Sequence, residues 1–141
     1  MFKFLKPPVH KPLLPKEKVK STYTRMRIQV FLGIYLGYAG YYLIRKNFAL
    51  AIPFLEEKGF SHASLGLALS AVSLAYGISK FVMGSVSDRS NARIFLSLGL
   101  VISSGIMIMM GFIPFFTSSI TIMYILLFIN GWAQGMGWPP C

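Results

Sequence analysis

Cysteine is nearly absent: Cys141, the last of 141 residues, is the only one, so no intrachain disulfide framework exists. Acidic residues are scarce as well, with four Asp and Glu against fourteen Lys and Arg, a formal net charge of +10. No metal-ligand cluster, nucleophile–base pair or paired carboxylates stand out, so an enzyme is not expected, nor a cofactor or bound metal. Charge of either sign makes up 13% of the chain, against about 25% in an ordinary soluble domain. That scarcity excludes the basic nucleic-acid-binding domain that a pI of about 10.0 would otherwise suggest. Disorder is excluded too, because 55% hydrophobic and 15% aromatic residues leave too much apolar surface to bury. The N-terminus lacks the apolar stretch and small-residue cleavage site of a signal peptide. No low-complexity segment or internal repeat is present. With a mean hydropathy of +0.61, what remains is an integral membrane protein or a piece of one.

The charges that are present are segregated. Lys3, Lys6, Lys11, Lys16, Lys18, Lys20, Arg25 and Arg27 fall in the first 27 residues, opposed only by Glu17. Pro7, Pro8, Pro12 and Pro15 interrupt that segment, so residues 1–27 read as an irregular, solvated basic tail. From Gln29 onward the chain is mostly apolar. Four stretches, about 28–55, 62–87, 93–115 and 119–141, approach the roughly 20 apolar residues of a membrane span. Glu56, Glu57, Lys58 and Gly59 form the first loop, and Asp88, Arg89, Ser90, Asn91 and Arg93 mark the second. The third, 114–119, carries no charge. The positive-inside rule places the tail and the 88–93 loop on the cytoplasmic side and the other two loops outside. The fourth stretch closes on Pro139, Pro140 and Cys141 with no flanking charge, which reads as a truncated product.

Arg45, Lys46 and Lys80 lie inside these spans. A charge at the bilayer centre costs about 2.5–3.5 kcal/mol on insertion scales, so it marks a binding or transport site by default. No acidic residue lies in the same spans, which makes an anion the natural partner. Two structural alternatives stay open. The first helix could end at residue 44, leaving Arg45 and Lys46 in the outer headgroup layer. Acids on other helices could also make these residues simple ion pairs. The apolar stretch 47–55 and the positive-inside bias weigh against the first alternative.

At 100° per residue, Tyr35, Tyr38, Tyr42, Arg45 and Lys46 share one face of the first helix, opposite Gly33, Gly37 and Gly40. Gly33 and Gly37 form a small-xxx-small pair suited to close helix approach. Ser73, Tyr76 and Lys80 share a face of the second helix. Arg supplies a planar fork for phosphate or carboxylate, Lys a movable point charge, and Tyr a hydroxyl donor. Depth is a complication: straight helices would hold the two cations too far apart for a joint grip, unless tilt, a kink or the long Lys stem narrows the gap. At 1.5 Å per residue, Arg45 falls about 5 Å outside the centre of its helix and Lys80 about 8 Å inside the centre of its own.

The segment from Gly37 to Leu55, with Arg45-Lys46-Asn47-Phe48 at its heart, resembles the first helix of bacterial organophosphate:phosphate antiporters, a branch of the major facilitator superfamily. Gly84, followed by Asp88-Arg89 and then Arg93, resembles the superfamily's signature between helices two and three. Segments 76–84 and 131–141 are similar to the second and fourth helices of the branch, with Gly131 and Gly135 expected at helix contacts. The resemblance implies an all-α integral membrane fold. It makes this chain the first four helices of a 12-helix (6+6) architecture, truncated, with substrate bound between the halves near the midplane.

It further implies exchange of external sn-glycerol 3-phosphate for internal inorganic phosphate by alternating access. The setting would be the bacterial inner membrane, and the full-length protein would be a monomer without a cofactor. Arg45 matches the phosphate-gripping arginine, and Lys80, Tyr38, Tyr42 and Tyr76 match cavity-lining positions. Lys46 matches a basic position expected to serve charge pairing or gating. Asp88, Arg89 and Arg93 match a cytoplasmic gating latch, a plain topogenic loop being the alternative. The second arginine and the histidine that the branch carries on later helices have no match here, since His10 and His62 sit elsewhere. The 141 residues alone are therefore expected to be inactive. A carrier or transporter-like sensor of another organophosphate, such as hexose 6-phosphate, is the alternative. A small exporter of organic cations is disfavoured because the spans hold no carboxylate.

Overall fold

A computed structural model describes residues 15–137. The basic tail through residue 14, with His10, and the closing Trp138-Pro139-Pro140-Cys141 lie outside the described residues. Four α-helices follow one another: α1 (Lys16–Glu57), α2 (His62–Ser87), α3 (Ala92–Phe112) and α4 (Ile120–Gln134). A short 3-10 turn, Pro114–Thr117, joins α3 to α4. Among the described residues there is no strand.

Each junction has a local cause. The Ser61 hydroxyl caps α2 by accepting from the Ser64 N–H at 3.2 Å, and the Asn91 side chain caps α3 by accepting from the Arg93 N–H at 3.2 Å. Gly59, with φ of 95°, makes the reversal between α1 and α2 that a side chain would strain. The Glu56 and His62 side chains meet across that reversal. Pro114 opens the 3-10 turn after α3, where its missing N–H costs nothing.

Two boundaries differ from the sequence reading. Residues 16–27 are helical rather than an irregular tail, and α1 starts directly after Pro15. The prolines all precede that point, and the Lys, Glu, Arg and Met that follow are good helix formers. Its 42 residues make α1 about 63 Å long at 1.5 Å per residue, about twice the hydrocarbon thickness. Pro53 sits inside its last turns without ending it. At the other end, α4 has 15 residues and gives way to a turn after Gln134, well short of residue 141. By length and composition alone, α2 and residues Arg93–Phe112 of α3 are long and apolar enough to cross a membrane. The same test does not select α1, where Tyr, Gly and the Arg45–Lys46 pair dilute the apolar run, or the shorter α4.

The most extensive contact is α2 against α4, and α3 links α4 to α1. Leu65 and Ala68 of α2 and Met123 and Leu127 of α4 are all 0% exposed at its centre. Small residues set the spacing, because helix association in lipid depends on close van der Waals approach. Gly131 lies directly on the α2 backbone: a Cβ there would stand 2.9 Å from Val72 Cα and 3.0 Å from its carbonyl carbon. Gly135 lies against the Ser79 side chain in the same way. Gly37 and Gly40 receive Leu96 and Leu100 of α3, at 2.7 and 3.5 Å from the added Cβ. Gly33 does not join them. Nothing lies within 4 Å of its Cβ position. It borders a cleft of about 550 Å³ between α1 and α3, together with Gln29, Ile34, Arg93 and Ser97. The close approach therefore runs through Gly37 and Gly40 rather than Gly33 and Gly37.

The α2–α4 contact makes a clear stability prediction for the full-length protein in detergent. Gly131→Ala should cost about 1–3 kcal/mol, because the clash is with backbone that cannot rotate away. Gly105→Ala, with nothing within 4 Å of the new methyl, should leave the melting temperature unchanged or raise it. Equal melting temperatures for the two variants would contradict the packing described here.

Candidate anion site

Tyr76 of α2 is where the expected site residues meet. Arg45 Cζ lies 4.0 Å from the centroid of its ring, and Lys80 Nζ lies 4.3 Å from it. Both are well inside the roughly 6 Å reach of a cation–π contact. The two cationic groups can be no further apart than those two distances laid end to end. The gap that straight helices would leave is thus narrowed at the side-chain ends. That estimate centred α1 on residues 28–55, whereas the helix runs from Lys16 and its midpoint is no guide to its register against α2. Two long side chains close the remaining gap.

The tyrosines of α1 complete the cluster. Tyr42 lies 5.6 Å from Arg45 Cζ, ring centroid to atom, and packs edge to face with Tyr38 at 5.3 Å. Tyr38 is in electrostatic contact with Tyr76. Arg45, Lys80, Tyr38, Tyr42 and Tyr76 therefore come together, as the helical spacing anticipates. Arg45, Lys80, Tyr38 and Tyr76 are half-buried, and Tyr42 is more exposed. Glu56, Glu57 and Asp88 are exposed at the far ends of α1 and α2.

Other expected residues are not in it. Lys46 is exposed, one step along the helix turning it about 100° from Arg45, and it makes no ion pair among the described residues. Tyr35 is 63% exposed and stacks on Phe31 at 6.2 Å. Ser73 is exposed. Asp88 and Arg89 sit exposed at the end of α2, and Arg93 at the start of α3. No salt bridge links these three among the described residues.

Three polar residues that the sequence reading passed over stand directly behind Arg45. Its Nε–H donates to Gln134 Oε1 at 2.7 Å. Gln134 Nε2 donates to Ser103 Oγ at 3.4 Å, and the Ser103 hydroxyl donates to Asn130 Oδ1. Gln134 is 2% exposed, and Ser103 and Asn130 are 0% exposed. A signal for them existed. Asn130 and Gln134 are amides four residues apart in an apolar helix, hence on one face, and polar groups inside spans are costly. Attention to charge alone missed them. Two further bonds pin the surrounding helices: Ser79 Oγ donates to the Trp132 carbonyl at 2.7 Å, and the Tyr41 hydroxyl donates to the Leu96 carbonyl at 2.9 Å.

A guanidinium fork, an ammonium and several phenols gathered at one ring are the donor groups that a compact oxyanion would take. Residues 34–141 match the Major Facilitator Superfamily profile, and the chain belongs to that superfamily. It is 58% identical over 141 residues to the "Glycerol-3-phosphate transporter" of Bacillus subtilis (strain 168), covering 100% of this chain and 32% of that protein. It is 56% identical over 142 residues to the "Glycerol-3-phosphate transporter" of Haemophilus influenzae (strain ATCC 51907 / DSM 11121 / KW20 / Rd), covering 100% of this chain and 30% of that one. A "Probable hexose phosphate transport protein" of Chlamydia pneumoniae is 43% identical over 141 residues, covering 99% of this chain and 30% of its own. The chain thus spans about a third of the length of these curated relatives. Its four helices are part of the all-α facilitator fold.

The shared ring generates a test in the full-length protein. Tyr76→Leu removes the ring that both cations contact and should weaken phosphate binding about five- to thirtyfold, the equivalent of ~1–2 kcal/mol. Tyr76→Phe keeps the face and should weaken it less than Tyr76→Leu, as read by calorimetric titration. Equal losses in both variants would assign the role to the hydroxyl instead.

Proposed function

We propose that this chain supplies the N-terminal part of the solute site of a secondary transporter that exchanges external sn-glycerol 3-phosphate for internal inorganic phosphate by alternating access. The observation that carries the reading is the pairing of Arg45 and Lys80, from two helices, around Tyr76. Both substrates present the same group, a phosphoryl carrying about −1.5 to −2 charges near neutral pH. One clamp that grips this group binds either substrate, and exchange then needs only that the loaded site reorient. No bond is made or broken, so neither catalysis nor a cofactor enters.

Arg45 grips the phosphoryl oxygens with its fork, Lys80 adds charge, and Tyr38, Tyr42 and Tyr76 offer hydroxyls and ring faces. Lys46, pointing away from the clamp, serves pairing or gating toward another part of the protein. Asp88 and Arg89 at the end of α2 and Arg93 at the start of α3 serve a cytoplasmic latch. The protein sits in a bacterial inner membrane as a monomer, with the basic N-terminus inside, as the charge bias favours. Glycerol phosphate is preferred over hexose phosphate as the organic substrate because the relatives so named are more similar to this chain.

Arg45→Lys tests the reading in the full-length protein, reconstituted in phosphate-loaded liposomes. The charge stays and the fork is lost, so affinity for both phosphate and glycerol 3-phosphate should fall about 10- to 100-fold. Unchanged uptake of labelled glycerol 3-phosphate would place Arg45 in a structural role. Stronger competition by glucose 6-phosphate than by glycerol 3-phosphate would move the substrate to the hexose class.

A further inference from the structure

Arg45 is held from behind by a neutral amide. We infer that Gln134 is the positioning residue of the anion site, aiming the guanidinium through Nε while leaving its charge uncancelled, with Ser103 and Asn130 fixing which way the Gln134 amide points. The inference rests on the reading that Arg45 grips a phosphoryl group.

A guanidinium carries five N–H donors and no acceptor. It can meet an oxyanion through its side, using Nε and one terminal nitrogen, or through its end, using both terminal nitrogens. The Nε–H is committed to Gln134 Oε1 at 2.7 Å. The end carrying both terminal nitrogens is therefore the edge left for a phosphoryl group. The guanidinium lies over the Tyr76 ring, with Cζ 4.0 Å from its centroid, and Gln134 holds its Nε edge.

The acceptor type matters as much as the geometry. A carboxylate at position 134 would also accept from Nε, but it would pair with the fork and cancel the charge that an anion needs. A neutral amide orients without neutralising. An amide can point either way, however, and a reversed Gln134 would set its NH2 against the Arg45 Nε–H, donor facing donor. The buried chain behind it prevents this. The Ser103 hydroxyl proton is committed to Asn130 Oδ1, so Ser103 Oγ meets Gln134 as an acceptor. That draws the Gln134 NH2 inward and turns its carbonyl oxygen to Arg45. Donation runs one way, from α1 to α4 to α3 and back to α4. It ends at the Asn130 Nδ2 group, which is buried with no partner among the described residues.

A purely structural tie between α1 and α4 makes a different prediction, which Gln134→Glu separates. The substitution keeps size, shape and acceptor and strengthens the tie to Arg45. Equilibrium binding of inorganic phosphate to the full-length protein, read beside its melting temperature, is the measurement, with Arg45→Lys run in parallel. Gln134→Glu should bind phosphate at least about tenfold more weakly, with the half-saturation for glycerol 3-phosphate raised in step and the melting temperature unchanged or higher. Ser103→Ala, which frees the amide to reverse while keeping the packing, should show a smaller loss of the same kind.

Wild-type phosphate affinity in both Gln134→Glu and Ser103→Ala, alongside a loss in Arg45→Lys, would reduce Gln134 to a structural tie and overturn the inference. Wild-type affinity in Arg45→Lys would instead remove the phosphate reading of Arg45, on which the inference stands.

Discussion

One contact organises the site: the Arg45 guanidinium resting on the face of Tyr76 while its Nε is held by Gln134. A cation inside an apolar bundle is expensive unless something compensates it. Here the compensation comes from a π face and an amide oxygen, both uncharged. The positive charge is stabilised in place yet remains available to an anion. A carboxylate partner would have stabilised it more and left nothing to bind with.

The packing of the helices exists in a geometry that permits this contact. Gly131 and Gly135 let α4 lie directly on α2, against the Val72 backbone and the Ser79 side chain. The Ser79 hydroxyl then bonds the carbonyl of Trp132, two residues before Gln134. Arg45, reaching in from α1, meets Gln134 of α4 through its Nε and Tyr76 of α2 through its guanidinium face. Gly37 and Gly40 do the equivalent for α1 against α3, where Leu96 and Leu100 fill the space. Small residues at helix contacts thus determine where the long polar side chains converge.

Much of this was legible from residue spacing. The α-helical period put Tyr38, Tyr42 and Arg45 on one face and Tyr76 and Lys80 on another, and those five side chains do meet. Intramembrane charge flagged the site because burying charge is costly. What spacing could not give was the register between helices. Aligning helix centres separated Arg45 from Lys80, while in the fold they share a ring. Lys46 and Gly33 were misplaced for a related reason: a wide helical face includes residues at its edge that miss the neighbour. Gln134, Ser103 and Asn130 were readable as polar groups in apolar helices, but only tertiary contact shows them as a chain leading to Arg45. The helical start at Lys16 was obscured by prolines that all lie before it.

The central claim is that Arg45 and Lys80 act on one anion. A double-mutant cycle on phosphate affinity tests it most directly, using Arg45→Gln, Lys80→Gln and the double variant in the full-length protein. If both cations hold the same phosphoryl group, the losses should fall short of additive, with a coupling of about 1 kcal/mol or more, as expected for residues in contact through a shared partner. Losses that add within about 0.3–0.5 kcal/mol would mean that the two residues act independently, and the clamp around Tyr76 would be contradicted.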